Sequence, residues 1–149
     1  MKTYVLTFSR RFPGTHPRSG EATKFVEKIL GHEKIHTIRS NFPLWKKRIE
    51  EVQKGEAIIS LRYWSDAAYR SKQIEFKKLT KSDKVGIGTF EIRGEIVRVN
   101  SDNHTWDDTT IETIAKHDGL SIKDFKDWFV GYKHNDPLAI IHFTEFRYK

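Results

Sequence analysis

Residues 45–64, WKKRIEEVQKGEAIISLRYW, change period at Gly55. Up to the glycine, Trp45, Ile49 and Val52 stand at i, i+4 and i+7, the spacing of one buried stripe on a helix, with Lys46, Lys47 and Arg48 largely off it. Asn41, with Pro43 in the following turn, predicts where that helix starts, and Gly55 where it stops. Beyond the glycine, AIISLRYW is rich in β-branched and aromatic residues and predicts a strand.

Working outward toward the C-terminus, QIEFKKLT (73–80) predicts another strand, with Ile74, Phe76 and Lys78 on one side and Glu75, Lys77 and Leu79 on the other. VGIGTFEIRGEIVRV (85–99) predicts one long or bent strand with glycine breaks at Gly86, Gly88 and Gly94. Asp107 or Asp108 opens a predicted helix carrying Ile111, Ile114 and Ala115, and HDGL (117–120) is a turn. Ser121 with Asp124 predicts a capping box for a short helix bearing Phe125, Trp128 and Phe129. LAIIHFTEFRY (138–148) predicts a closing strand. Toward the N-terminus, TYVLTF (3–8) predicts a strand and SRRFPGTHPRSG (9–20) a loop. Ser19 caps a helix expected over about 20–30, with Phe25, Val26, Ile29 and Leu30 as its apolar side. Trp45 and Trp128 are expected in the core rather than as ligand platforms. Strands with interspersed helices but no regular βαβ alternation predict an α+β fold built on a small curved sheet or barrel. There is no repeat and no linker, and the length predicts a single domain over residues 1–149.

Composition narrows the function classes. No apolar run approaches the roughly 18 residues of a membrane span, and no signal peptide is expected. The chain has no cysteine, which excludes disulfides, thiolate metal sites and cysteine nucleophiles and fits a cytoplasmic protein. The net charge of +7 is unevenly placed: residues 1–82 hold 18 Lys and Arg against 8 Asp and Glu, and residues 83–149 hold 9 against 12. A basic first half predicts a polyanionic partner, most simply a nucleic acid or nucleotide, with a solvated surface as the alternative. No cofactor and no metal are expected. GIGTFEIRG (86–94) lacks the order of a dinucleotide fingerprint, and there is no Walker loop and no G-x-S-x-G. Oligomeric state is not predicted.

Three stretches concentrate the chemistry. HEKIHTIRSNF (32–42) holds Lys34, His36, Thr37 and Arg39. As an ideal strand it sends Lys34, His36 and Ile38 to one face and Ile35, Thr37 and Arg39 to the other. Lys34 and Thr37 therefore converge only if the chain leaves strand geometry; otherwise this is a polar edge strand. RYWSDAAYRSKQ (62–73) alternates Arg62, Arg70 and Lys72 with Tyr63, Trp64 and Tyr69, a pattern that stacks bases and holds phosphates, or a hairpin with a core Trp and solvated cations. AKHDGLSIKDF (115–125) places Asp118 at a helix end, as an acid or base if enclosed, or as an ordinary helix-end polar residue.

KIHTIR, the W-x-x-x-I-x-x-V-x-x-G helix of residues 45–55, the RYW…YRSKQ segment and the KHDGLSIKDFKDWF end together resemble the ASCH domain family of the PUA-like superfamily, from about residue 20 to the C-terminus. The resemblance implies a small β-barrel with helices packed around a cleft, and a role with RNA or modified nucleosides. One branch is similar to bacterial amidohydrolases that remove the acetyl group from acetylcytidine, using a Lys and Thr in a K-x-x-T-x-R stretch and a Glu before the later helix. KIHTIR puts Lys34, Thr37 and Arg39 on that stretch. Asp118 falls where the Glu would be and is one methylene shorter. RYWSDAAYRSKQ is absent from that branch, and Asp66, Ala67 and Ala68 stand where related proteins tend to carry Gly and Pro. The resemblance implies catalytic roles for Lys34, Thr37 and Asp118; together with the aromatic and basic pattern of residues 62–73 it predicts a cleft lined by Arg39, Tyr63, Trp64, Tyr69, Arg70 and Lys72. The alternative is a non-catalytic RNA-binding module that uses the basic cleft.

Overall fold

A computed structural model describes residues 1–67, 69–93, 96–101, 105–129 and 138–148. In chain order the elements are β1 (Lys2–Phe8), α1 (Phe25–Leu30), β2 (His36–Arg39), α2 (Phe42–Gln53), β3 (Ala57–Trp64), β4 (Gln73–Leu79), β5 (Gly86–Arg93), β6 (Ile96–Ser101), β7 (Thr105–Thr110), α3 (Ile111–His117), α4 (Ile122–Phe129) and β8 (Ala139–His142). The class is mixed α+β. A three-stranded sheet runs β1-β3-β4 and a five-stranded sheet runs β2-β8-β5-β6-β7. Among the described residues the strand ladders form these two sheets and do not close into one ring. No helix among them is long and apolar enough to cross a membrane.

β1 and β3 are parallel, so the chain must cross over between them, and α1, β2 and α2 fill that crossover. α2 begins as its sequence predicts: Asn41 takes a left-handed φ of 65° and its side chain accepts from the Leu44 amide at 3.3 Å. Trp45, Ile49 and Val52 are buried on one stripe that touches β3 of the small sheet and β5 and β8 of the large one. This helix packs against both sheets, and its apolar stripe is buried there.

Several elements differ from their sequence reading. The first helix is confined to Phe25–Leu30, with no side-chain cap. The residues before it pair backward instead: the Phe12 amide donates to the Glu21 carbonyl at 2.9 Å and the Thr23 amide to the Arg10 carbonyl at 3.0 Å, which takes the backbone groups a longer helix would need. The stretch expected as one long strand is an antiparallel hairpin, with Arg93 opposite Ile96; of its expected glycine breaks, Gly94 lies outside the described residues, as does Ala68. TWDDTT forms β7, not the start of a helix, because β6 offers it a partner in full register, including Arg98 opposite Asp108. Thr110 then caps α3, its hydroxyl accepting from the Thr113 amide at 3.2 Å. Ser121 accepts from the Asp124 amide at 3.1 Å, but the Asp124 carboxylate turns away to Arg18 at 2.5 Å, so only half of a capping box forms. The closing strand stops at His142, and the chain from Phe143 to Tyr148 folds back irregularly over β2.

Candidate functional site

The site begins where the chain enters β2. Past α1, His32 takes a left-handed φ of 62°, and the Glu33 and Lys34 amides both donate to the Lys28 carbonyl, at 2.8 and 3.0 Å. Lys34 therefore lies in a turn before the strand. The Ile35 amide donates to the His117 carbonyl at 2.9 Å, which docks this turn against the C-terminal end of α3. That contact delivers Asp118, the residue closing α3, to the Lys34 amine.

Lys34 is 2% exposed, and its Nζ donates to the Asp118 main-chain oxygen at 2.7 Å and to Asp118 Oδ1 at 3.1 Å. The amine also stands 4.5 Å from the centre of the Phe25 ring. Gly119 makes the approach possible. It has a left-handed φ of 78°, and a Cβ there would lie 3.1 Å from Lys34 Cβ. Strand alternation then sorts the rest. His36 turns inward and places Nδ1 3.1 Å from the same Asp118 Oδ1. Thr37 and Arg39 share the opposite face, with Arg39 Nε donating to Thr37 Oγ1 at 3.3 Å. Arg39 Nη2 donates to the Thr7 carbonyl at 2.7 Å, and its guanidinium lies 5.0 Å from the centre of the Phe8 ring.

Lys34, Thr37, Arg39 and Asp118 all line one cleft of about 1110 Å³. Its walls are aromatic and basic: Phe8, Phe12, Trp64, Tyr69, Trp128 and Phe129, with Arg10 and Arg11 from the loop after β1. Of the predicted ligand contacts, Arg39, Trp64 and Tyr69 belong to this lining, and the Trp64 and Tyr69 rings stand 5.3 Å apart. Tyr63, Arg70 and Lys72 lie outside it. Tyr63 alternates with Trp64 along β3, so it faces Phe76, 6.1 Å between ring centres, while Arg10 covers its ring. Arg70 and Lys72 are exposed past the turn that the Ser65 amide closes onto the Lys72 carbonyl at 2.8 Å.

The two tryptophans expected in the core divide. Trp45 is buried there, whereas Trp128 is only half-buried and walls the cleft, packed on Phe12, His16 and Phe25. Helical spacing from Phe125 could not separate these outcomes, because the cleft opens beside α4.

Burial sets the electrostatics. It pushes the Lys34 amine below the ordinary lysine range against the pull of Asp118, and it lowers Arg39 to about 10. Burial likewise lowers His36, and it holds His142 well below the usual histidine value. A neutral lysine keeps two N–H donors and one lone pair. Asp118 already takes two of the three positions on Nζ, so the third is left for a proton or for chemistry.

Two histidine groupings bear on metal binding. His32 and His36 are four apart, but one is exposed at a turn and the other buried in β2, so they share no helix face. His16, Asp124 and Asp127 bring ligand atoms within 4.8 Å of one another. His16 Nδ1 accepts from the Arg18 amide at 3.0 Å, which assigns the proton to Nε2, facing the Asp124 carbonyl. Arg18 and Lys123 take the two carboxylates, so the group is tied up by the chain's own cations.

Reading the sequence missed His36 as a partner of Asp118, and it missed Tyr148, whose hydroxyl lies 2.6 Å from His36 Nε2. It also missed Arg10 and Arg11. The alternation of Lys34 with His36 was a usable signal for the first; nothing local marks Tyr148. Comparison with protein-family models, with curated proteins and with solved structures finds no match, so the reading of this cleft rests on its own geometry.

Proposed function

We propose that the cleft binds a nucleobase-bearing ligand, RNA or a modified nucleoside, and that Lys34, Thr37 and Asp118 serve there as an amidohydrolase site acting on an N-acylated nucleoside. On this reading the protein is an ASCH-type member of the PUA-like superfamily, its two sheets standing for the barrel of that fold. The observation that carries the proposal is the buried Lys34 amine, held by the main-chain oxygen and one carboxylate oxygen of Asp118 in a cleft that Thr37 also lines.

The chemistry follows from those positions. With its amine shifted down by desolvation, Lys34 removes a proton from the Thr37 hydroxyl or from water; that oxygen attacks the acyl carbon, and an acyl group taken by Thr37 is released to water in a second step. Arg39, already bonded to Thr37 Oγ1, faces the oxygen on which negative charge develops. Asp118 passes the proton to the leaving amine. Trp64, Tyr69 and Trp128 offer faces for the base, and Arg10 and Arg11 offer charge for a phosphate.

The uneven basic charge favours a second reading, a binding module without turnover. One experiment separates them. Purified protein is incubated with acetylcytidine and other N-acyl nucleosides, and binding of single-stranded RNA is titrated at two salt concentrations. Turnover that is insensitive to salt and lost in Lys34→Met supports the hydrolase. RNA binding that weakens steeply with salt, with no turnover, supports the module. If Asp118 is a shortened catalytic carboxylate, Asp118→Glu raises activity on acetylcytidine.

A further inference from the structure

A line of hydrogen-bonded side chains leads away from the same Asp118 carboxylate oxygen that Lys34 holds. His36 Nδ1 is 3.1 Å from Asp118 Oδ1, His36 Nε2 is 2.6 Å from the Tyr148 hydroxyl, and that hydroxyl is 3.2 Å from His117 Nδ1. His36 is fully buried and Tyr148 nearly so. His117 is half-buried and does not line the cleft. The line therefore starts at a carboxylate in the cleft floor and ends at an imidazole that meets water elsewhere.

Its polarity is fixed by chemistry. An ionised carboxylate only accepts, so His36 carries its proton on Nδ1 and presents a lone pair on Nε2. The Tyr148 hydroxyl then donates to His36 Nε2, and its oxygen accepts from His117 Nδ1–H. Every donor in the line points toward Asp118. His142 shows that this is not simply how buried histidines sit here: it lies 5.7 Å from His36, ring centre to ring centre, and neither of its nitrogens has a hydrogen-bond partner among the described residues.

We propose that His117, Tyr148 and His36 form a proton wire that connects Asp118 to water outside the cleft. A proton from water adds to His117 Nε2, and the Nδ1 proton passes to the Tyr148 oxygen while the hydroxyl proton moves to His36 Nε2. The Nδ1 proton of His36 then passes to Asp118 Oδ1. One proton has reached the carboxylate and every relay group is neutral again; the reverse sequence returns that proton to water and restores the starting tautomers, so the wire equilibrates Asp118 with water. The groups facing the wire are Lys34 and Asp118 at the cleft end, His142 from β8 with Arg147 beside it, and Phe146 against the His117 ring. Burial disfavours a resident imidazolium at His36, so protons pass through without staying. The wire concerns proton access to Asp118 and does not depend on which ligand the cleft takes.

Long-range proton–nitrogen NMR on the ¹⁵N-labelled protein reads the tautomers directly. At neutral pH, His36 and His117 are both expected as Nδ1–H; His36 in the Nε2–H form overturns the proposal. Tyr148→Phe keeps the ring and removes the link. Exchange of the His36 Nδ1 proton with water should then slow about tenfold, equivalent to one lost hydrogen bond of about 1.4 kcal/mol. A merely structural role for Tyr148 predicts the opposite, since looser packing speeds exchange. Unchanged or faster exchange in a folded variant refutes the wire, and if the variant does not fold, the wild-type tautomers decide alone.

Discussion

Removing the Asp118 side chain is the sharpest test of the site's energetics. Its carboxylate is almost fully buried and accepts from both Lys34 and His36, at 3.1 Å each. In Asp118→Ala the amine keeps only the main-chain oxygen and His36 Nδ1 loses its partner, while neither group gains water. Breaking a buried pair by deleting one member costs about 3–5 kcal/mol, mostly because the survivor is left uncompensated. That origin makes a second prediction: Lys34→Met in the Asp118→Ala background removes the survivor and recovers about 2 kcal/mol or more. The assay is urea denaturation of wild type, both single variants and the double at pH 7, with the denaturant slope checked for constancy. An Asp118→Ala cost under about 1 kcal/mol, or effects that add to within about 0.5 kcal/mol, refutes the reasoning. The pH dependence follows in sign. Burial leaves the folded Lys34 pKa below the unfolded value of 10.5, so the unfolded chain binds more protons in that window. Wild-type stability should therefore rise relative to Lys34→Met as pH climbs toward 10.5.

Trp45→Ala should cost about 3–5 kcal/mol in denaturation, whereas Trp128→Ala should cost less and change ligand affinity of the cleft. His36, His117 and His142 are all held below the ordinary 6.5 by burial, so the unfolded chain binds more protons below that pH. Stability should fall on acidification by about 1.4 kcal/mol per pH unit for each of the deeply buried His36 and His142 still neutral, and His142→Leu should flatten the slope by one such increment in denaturation series between pH 4 and 6.5. Neutralising Arg70 and Lys72, exposed outside the cleft, should lower the salt slope of RNA binding by about one unit each and leave nucleoside affinity unchanged in calorimetry.

The parts of this fold that the sequence announces are those decided locally. α2 is legible because its stripe and its Asn41 cap lie within one segment, and β1 and β3 because their apolar runs are continuous. β7 is not, since Asp107 and Asp108 oppose strand formation in isolation and only pairing with β6 overrides that. The hairpin of β5 and β6 was hidden for a related reason: a run of strand-forming residues does not say where it folds on itself. In the site, Thr37 and Arg39 could be placed together by alternation alone. The meeting of Lys34 with Asp118 was anticipated through a family resemblance, while strand periodicity argued only against Lys34 joining Thr37. Tyr148 reaches His36 across 112 residues, by an irregular tail with no pattern to read.

Arg39, on β2 of the large sheet, grips the Thr7 carbonyl of β1 in the small one, and so fastens at that seam two sheets that share no ladder. The same guanidinium faces the cleft. Any anion that recruits it fully must compete with the clasp, so affinity for such a ligand is reduced by whatever the clasp contributes to holding the sheets together. Occupancy and the tightness of the seam are then one equilibrium, and a ligand that leaves the Thr7 bond in place has an advantage over an equally charged one that takes it.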